Sequence, residues 1–271
     1  MVAEPTPTVR RTAAFFDVDR TLLRGSSLLH VARPMRHAGM LPTRAMLRSL
    51  LMQARFSVYG FDETQIHEAV RGVGALVNGI EADRLHAFAQ RTVPEHVLPR
   101  VYAEALARIE WHRGRGDLVF LVSSSPREFI TQLGSLLGVD GVAATEAELR
   151  EGRYTGRILR FCHGEAKAAE VRELADANDV DLSQSFAYGD SFVSDLAMLE
   201  SVGHPVAVNP DRALATAAER RGWPIEHFQS VGMRPSAALR RLPRRVMRAS
   251  RPAVRRAHGN VRNKARSLRE L

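Results

Sequence analysis

Four short apolar runs limit what this chain can fold into. Residues 13–18 (AAFFDV), 118–123 (LVFLVS), 185–189 (SFAYG) and 204–209 (HPVAVN) have the length of strands and little polar alternation. That pattern marks strands buried on both faces. Helical patterns stand between them, at 126–138 (PREFITQLGSLLG), 164–178 (GEAKAAEVRELADAN) and 194–202 (SDLAMLESV). Strands that alternate with helices specify a parallel sheet, hence an α/β fold. The stretch 142–158 differs: a Glu-Gly turn separates two extended runs, which predicts a small hairpin.

The interval from Gly25 to about Arg115 has no such runs. It reads as amphipathic helices, for example 43–56, 81–93 and 100–113, joined at Pro42, Gly60 and Gly79. A block of helices after the first strand is an inserted subdomain rather than part of the sheet. The expected division is a flexible leader over 1–11, a core from 12–24 and 115–230, a helical insertion over 25–114, and a basic, partly disordered tail over 231–271.

A chain of 271 residues with 45% hydrophobic content is long enough for one large domain carrying such an insertion. No stretch approaches the roughly 20 apolar residues of a spanning helix, and the N-terminal segment runs from Pro and Thr into charge without a secretory core. The expected location is the cytoplasm. The single cysteine, Cys162, suits a reducing compartment and reads as a small buried hydrophobe.

Charge is unevenly placed. Residues 234–271 hold 13 Arg or Lys and one acid, so this segment carries +12 of a chain whose net charge is +9, and the rest carries −3. The segment includes Pro243 and Pro252 and few bulky apolar residues, which predicts partial disorder. Val254, His258, Val261, Ala265 and Leu268 fall on one face of a short helix, against the weakening effect of Gly259 and Asn260. Three readings of the tail stand side by side: a solvated extension, attraction to an anionic membrane surface, and nucleic-acid binding, the last weakened by the lack of aromatic residues.

Chemistry concentrates at the C-terminal ends of the expected strands, where open α/β sheets place their sites. DVDRT puts Asp17 and Asp19 on one side of the chain near a strand end. LVSSSP takes Ser123 off a strand, with Pro126 opening a helix whose first N–H groups form an anion cradle. HGEAK sets Lys167 near a helix start, one of two lysines beside 37 arginines, and YGDSFVSD brings Asp190 and Asp195 after another strand. Taken singly, these stretches read as a turn, a helix cap or a solvated side chain. In this order they specify one shared site.

With these four motifs the chain resembles the haloacid dehalogenase superfamily, in the branch similar to phosphoserine phosphatases (subfamily IB hydrolases). The similarity runs from about residue 13 to residue 228, including VGHPVAVNPD and GWPI, and leaves out the tail. It implies a Rossmann-like, three-layer parallel sheet with an inserted helical cap of the C1 type. It also implies a phosphomonoester hydrolase acting on a small phosphorylated metabolite through an aspartyl-phosphate. Asp17 would be the nucleophile and Asp19 the general acid and base. Thr21, Ser123, Ser124 and Lys167 would bind the phosphoryl group, with Asp195 and Ser194 in support. Four acids would repel a phosphoryl dianion unless a divalent cation intervened, and hard oxygen ligands suit Mg2+. The resemblance assigns the metal to Asp17, Asp190 and the backbone carbonyl of Asp19.

The sequence also departs from its branch. Arg20 stands where many relatives carry a small residue, and Ser26 stands where phosphoserine phosphatases carry an acid for the substrate ammonium. That substitution argues against phosphoserine. Arg20, Ser26, His30 and Arg33, with Arg36, are the candidates for substrate selection. Two alternatives share the fold: a phosphotransferase that replaces water with another hydroxyl, and a non-catalytic binder of a phosphorylated ligand.

Overall fold

The structure is a computed structural model, and it describes residues 10–40, 70, 72, 74–75 and 77–231. The expected helix at 43–56, most of the leader and the tail from 232 onward lie outside the described residues. In chain order the elements are β1 (Ala13–Phe16), α1 (Ser27–His37), α2 (Ala82–Thr92) and α3 (Ala103–Arg115), then β2 (Leu118–Pro126), α4 (Arg127–Leu137), β3 (Gly141–Arg150) and β4 (Arg153–Arg160). There follow α5 (Glu165–Ala177), β5 (Phe186–Gly189), α6 (Phe192–Glu200), β6 (His204–Val208), α7 (Arg212–Arg221) and β7 (Ile225–Glu226).

The sheet has seven strands in the order β4-β3-β2-β1-β5-β6-β7. All neighbours are parallel except β3 and β4. Strand β1, central and buried at every position, shows why alternation is missing from its sequence. Ala14 and Phe16 face a core shared with α1 to α4, while Ala13 and Phe15 face a second core against α5, α6 and α7. Each face is covered by helices, so both sets must be apolar. This is the expected α/β, three-layer, Rossmann-like arrangement.

The expected hairpin is β3 and β4. Its turn residues, Glu151 and Gly152, have φ of 49° and 78°, the left-handed pair that a two-residue hairpin requires. Strand β3 has two roles: residues 141–145 pair with β2, and residues 146–150 pair with β4 beyond the end of that pairing. The insertion is clamped to this hairpin, because Gly79 N donates to Tyr154 O and Tyr154 N donates to Ile80 O. Strand β7, two residues long, was not foreseen.

The chain leaves and re-enters the core through a narrow neck, where Arg24 N donates to Arg100 O and Tyr102 N donates to Leu22 O. The neck lies at 22–24 and 100–102, ahead of the expected boundary at 114. Helix α3, grouped with the insertion on periodicity alone, lies on the core side and packs Ala105 and Ile109 against the sheet. Amphipathic spacing marks a buried face without saying which surface buries it.

A buried polar chain ties α3 to the sheet. Burial holds the His112 imidazole below its usual range and therefore neutral. Its Nδ1–H donates to Asp117 at 2.8 Å, and its Nε2 accepts from the Tyr188 hydroxyl at 2.9 Å. Thr12 donates to the other Asp117 oxygen. Tyr188→Phe keeps the stacking on Phe16 but orphans the His112 acceptor, which costs about 1–3 kcal/mol. Urea unfolding should show that loss, with the melting temperature lower by about 2–4 °C per kcal/mol; unchanged stability would refute the network.

Candidate active site

Two strand ends and two helix starts converge on one buried cluster. Asp17 follows β1, and its N–H continues the pairing to Tyr188 O at 2.9 Å. Asp190 follows β5, Asp195 lies in the first turn of α6, and Lys167 lies in the first turn of α5. The two helix starts are joined by Gly164 N donating to Ser194 O at 3.0 Å, and Ser194 N donates to the Ser191 hydroxyl at 3.4 Å. Gly189 lets Asp195 approach the strand end: a Cβ there would lie 2.7 Å from Asp195 Cβ.

Lys167 is fully buried, and its Nζ donates to Asp17 Oδ1 at 2.6 Å and to Asp195 Oδ1 at 2.7 Å. Burial alone would lower the Lys167 pKa, but the two carboxylates outweigh it and hold the ammonium charged. Asp195 uses its second oxygen to accept the N–H groups of Asp190 and Ser191, at 2.9 and 3.0 Å. Burial would raise its pKa; Lys167 and those donors reverse the sign and keep it below the usual carboxylate range. Asp195 thus anchors the lysine and the loop after β5.

The other two carboxyls are poorly compensated. Burial, then the Asp195 charge, push Asp17 up to about 7 despite Lys167. Burial, Asp195 and Asp17 raise Asp190 in the same way, offset in part by Arg20. Carboxylate oxygens of Asp17, Asp190 and Asp195 lie within 4.8 Å of one another, a buried acidic triad that can hold a metal ion.

Asp19 takes a different direction. Its carboxylate accepts from Ser27 N at 2.8 Å, Ser125 Oγ at 3.1 Å and Ser26 Oγ at 3.3 Å. Alternation along a strand would set Asp17 and Asp19 side by side, but β1 ends at Phe16 and the chain coils back, with Leu22 N and Leu23 N both donating to Val18 O. The two acids therefore share a site with separate anchors.

The remaining candidates divide. Thr21 is buried and donates to Asp190 at 3.4 Å. Ser123 is buried, and its hydroxyl accepts from Ser125 N at 3.2 Å. Ser124 was expected beside the phosphoryl group; its hydroxyl instead donates to Cys162 O at 2.7 Å. Period-two alternation explains this, since Ser123 and Ser125 leave the strand on one side and Ser124 on the other. Ser125 and Ser27 were the residues missed, and the same alternation in SSS was the available signal for Ser125.

Arg20 turns inward, with φ of 67° and Nε 2.8 Å from Asp190, although its side chain stays 40% exposed. Ser26 reaches the site through Asp19. His30 instead bonds Arg24 O at 2.7 Å, and Arg33 and Arg36 are exposed on α1. Cys162 is buried, its thiol pushed by burial up to about 12, which suits the structural reading.

The model of the haloacid dehalogenase-like hydrolases matches residues 14–200, a span that contains Asp17, Asp19, Ser123, Lys167, Asp190 and Asp195. The chain belongs to this hydrolase family. Among similar proteins is the inhibition of morphological differentiation protein of Streptomyces azureus, 39% identical over 234 residues, 86% of this chain and 83% of that one. Two others come from Mycobacterium tuberculosis: a probable phosphatase, 37% identical over 86% of this chain and 79% of its own, and a phosphoserine phosphatase, 33% identical over 80% and 71%. A Bordetella pertussis protein of unknown function has a similar structure, with a TM-score of 0.69 and 26% identity over 80% of this chain and 99% of its own. An apo phosphoserine phosphatase, at 17% identity and a TM-score of 0.57 over 82% and 95%, shares the fold.

The lysine is the weak point of this hydrolase's site. Lys167→Met leaves two carboxyls without their cation and should cost about 3–5 kcal/mol in metal-free urea unfolding. The freed acids then hold protons in the native state at pH values where the unfolded chain has lost them. Stability of the variant should therefore fall as pH rises from 5 to 8, more steeply than in the parent. Parallel pH profiles would overturn the assignment.

Proposed function

We propose that this family member is a Mg2+-dependent phosphomonoester hydrolase working through an aspartyl-phosphate on Asp17. The observation that supports it most is the Asp17–Lys167–Asp195 chain beside Asp190 at the strand ends. Lys167 orients one Asp17 oxygen. The carboxylate attacks phosphorus, the bond from phosphorus to the leaving oxygen breaks, and Asp19 gives that oxygen its proton. Water then attacks phosphorus while Asp19 takes its proton, and the Asp17–phosphorus linkage breaks to release phosphate. Lys167 and the Ser123 hydroxyl would bind phosphoryl oxygens as charge builds.

The donor set fits the cation: hard carboxylate oxygens, buried, close together, and two of them held above their usual pKa by burial and by the neighbouring acid charges. Asp17, Asp190 and the Asp19 carbonyl would hold Mg2+, with Asp195 committed to Lys167. Bound there, the ion would offset repulsion between the substrate dianion and the acids.

The substrate reading is a small phosphorylated metabolite, with phosphoserine disfavoured. Residues 20–40 contain four arginines and no acid, so the first part of the insertion offers no carboxylate to an ammonium. This weighs against carrying over the activity of the phosphoserine phosphatase relative, and a panel of phosphorylated amino acids, sugars and lipid head groups tests it.

Hydrolysis of p-nitrophenyl phosphate should require Mg2+ and stop with EDTA. Asp17→Asn should abolish both turnover and the trapped phosphoenzyme. Activity that survives chelation would refute the metal, and substantial activity in the variant would refute the nucleophile.

Among the described residues no helix is long and apolar enough to cross a membrane. For the tail, a solvated extension is the first reading and attraction of residues 234–271 to anionic lipid the second. On the second, deleting the tail should abolish sedimentation with anionic liposomes at low salt; equal binding by the truncated chain, or binding to DNA alone, counts against it.

A further inference from the structure

We propose that Ser125 is a positioning residue for Asp19, holding the acid from the core side so that its proton reaches the departing alcohol. This rests on the phosphomonoesterase reading above. Ser125 lies outside the residues assigned to phosphoryl or metal binding, yet it is buried at 4% exposure and its hydroxyl donates to Asp19 Oδ2 at 3.1 Å. Its second partner is the Ser27 hydroxyl at 2.8 Å, itself 2% exposed. Because the Ser125 proton is given to Asp19, Ser27 must be the donor in that pair. The result is a directed chain from Ser27 to Ser125 to Asp19, in which each bond polarises the next.

The placement of these donors separates their roles. Ser26 and Ser27 begin α1, on the insertion side of the neck. Ser125 belongs to β2, its N–H is fixed to Ser123 Oγ, and the β2–β3 register shifts between Ser123 and Pro126. That irregularity at the strand end is where Ser125 meets Asp19. Ser125 is the one donor among the three that ties the Asp19 carboxylate to the sheet carrying Asp17. Without it, among the described residues, the carboxylate is held through α1 alone, and its aim at the leaving oxygen depends on the insertion. Misaimed proton transfer slows a reaction most when the leaving group needs the proton most.

The test compares an alkyl phosphate with p-nitrophenyl phosphate, whose phenolate departs with little help, in Ser125→Ala with Mg2+. The quantity read is kcat/KM, which covers the steps through departure of the alcohol. We expect a fall of about 10-fold or more on the alkyl ester and several-fold less on the aryl ester. Combined with Asp19→Asn, Ser125→Ala should add little further loss, since the residue acts through that acid. Equal losses on both esters, or a full additional loss in the Asp19→Asn background, would overturn the proposal. If the parent protein hydrolyses neither ester, the phosphatase reading fails and this inference fails with it.

Discussion

One ammonium between two carboxylates holds the site in its present form. Lys167 is fully buried, and its stability as a charged group comes from Asp17 and Asp195 together. A buried pair of this kind gains little over an apolar replacement, but removing one member leaves a charge stranded. The cluster contains three acids and one buried ammonium, and the half-exposed Arg20 only partly offsets the third acid. It is therefore short of positive charge by construction. Burial first, and then the neighbouring acid charges, hold the pKa values of Asp17 and Asp190 above the usual carboxylate range. A polar cluster built for stability alone would have been balanced, and the imbalance fits a site completed by a cation.

The sheet supplies the convergence. Parallel pairing of β2, β1, β5 and β6 brings their C-terminal ends to one edge, and the residues at the ends of β1, β2 and β5 become neighbours despite lying far apart in the chain. Helices α5 and α6 then begin at that edge, so Lys167 and Asp195 enter from first turns. The glycine at 189 removes the one side chain that would keep Asp195 away. Below this edge, the His112 network and the stacked Phe16–Tyr188 pair lock α3 to the strands that carry Asp17 and Asp190.

What was legible in the sequence follows from the range of the signal. Strands β1, β2, β5 and β6 announced themselves because burial on both faces leaves an unbroken apolar run. The hairpin was visible through its Glu-Gly turn, whose left-handed residues are a local requirement. Lys167 stood out because the chain otherwise uses arginine. The side of the neck on which α3 packs was not legible, since the pattern Ala105, Ile109, His112 is the same for either surface. Strand β7 escaped because two residues carry no period. The fate of Ser124 was legible in principle: alternation within three consecutive serines separates it from its neighbours.

The pair of acids in DVDRT shows how far alternation alone can mislead. Spacing two residues apart suggests a shared direction, yet the strand stops before the first acid and the backbone then coils through Arg20 in a left-handed conformation. Asp17 is consequently fixed by the sheet and by Lys167, while Asp19 is fixed by the start of α1 and by Ser125. These anchors differ in kind. An ammonium holds one Asp17 oxygen, whereas hydroxyl and amide donors hold the Asp19 carboxylate. In the proposed mechanism the first setting serves the attacking carboxylate and the second the group that exchanges a proton. Because Asp19 sits eight residues before Ser27, at the junction where the insertion leaves the core, any movement of α1 reaches that acid before it reaches Asp17.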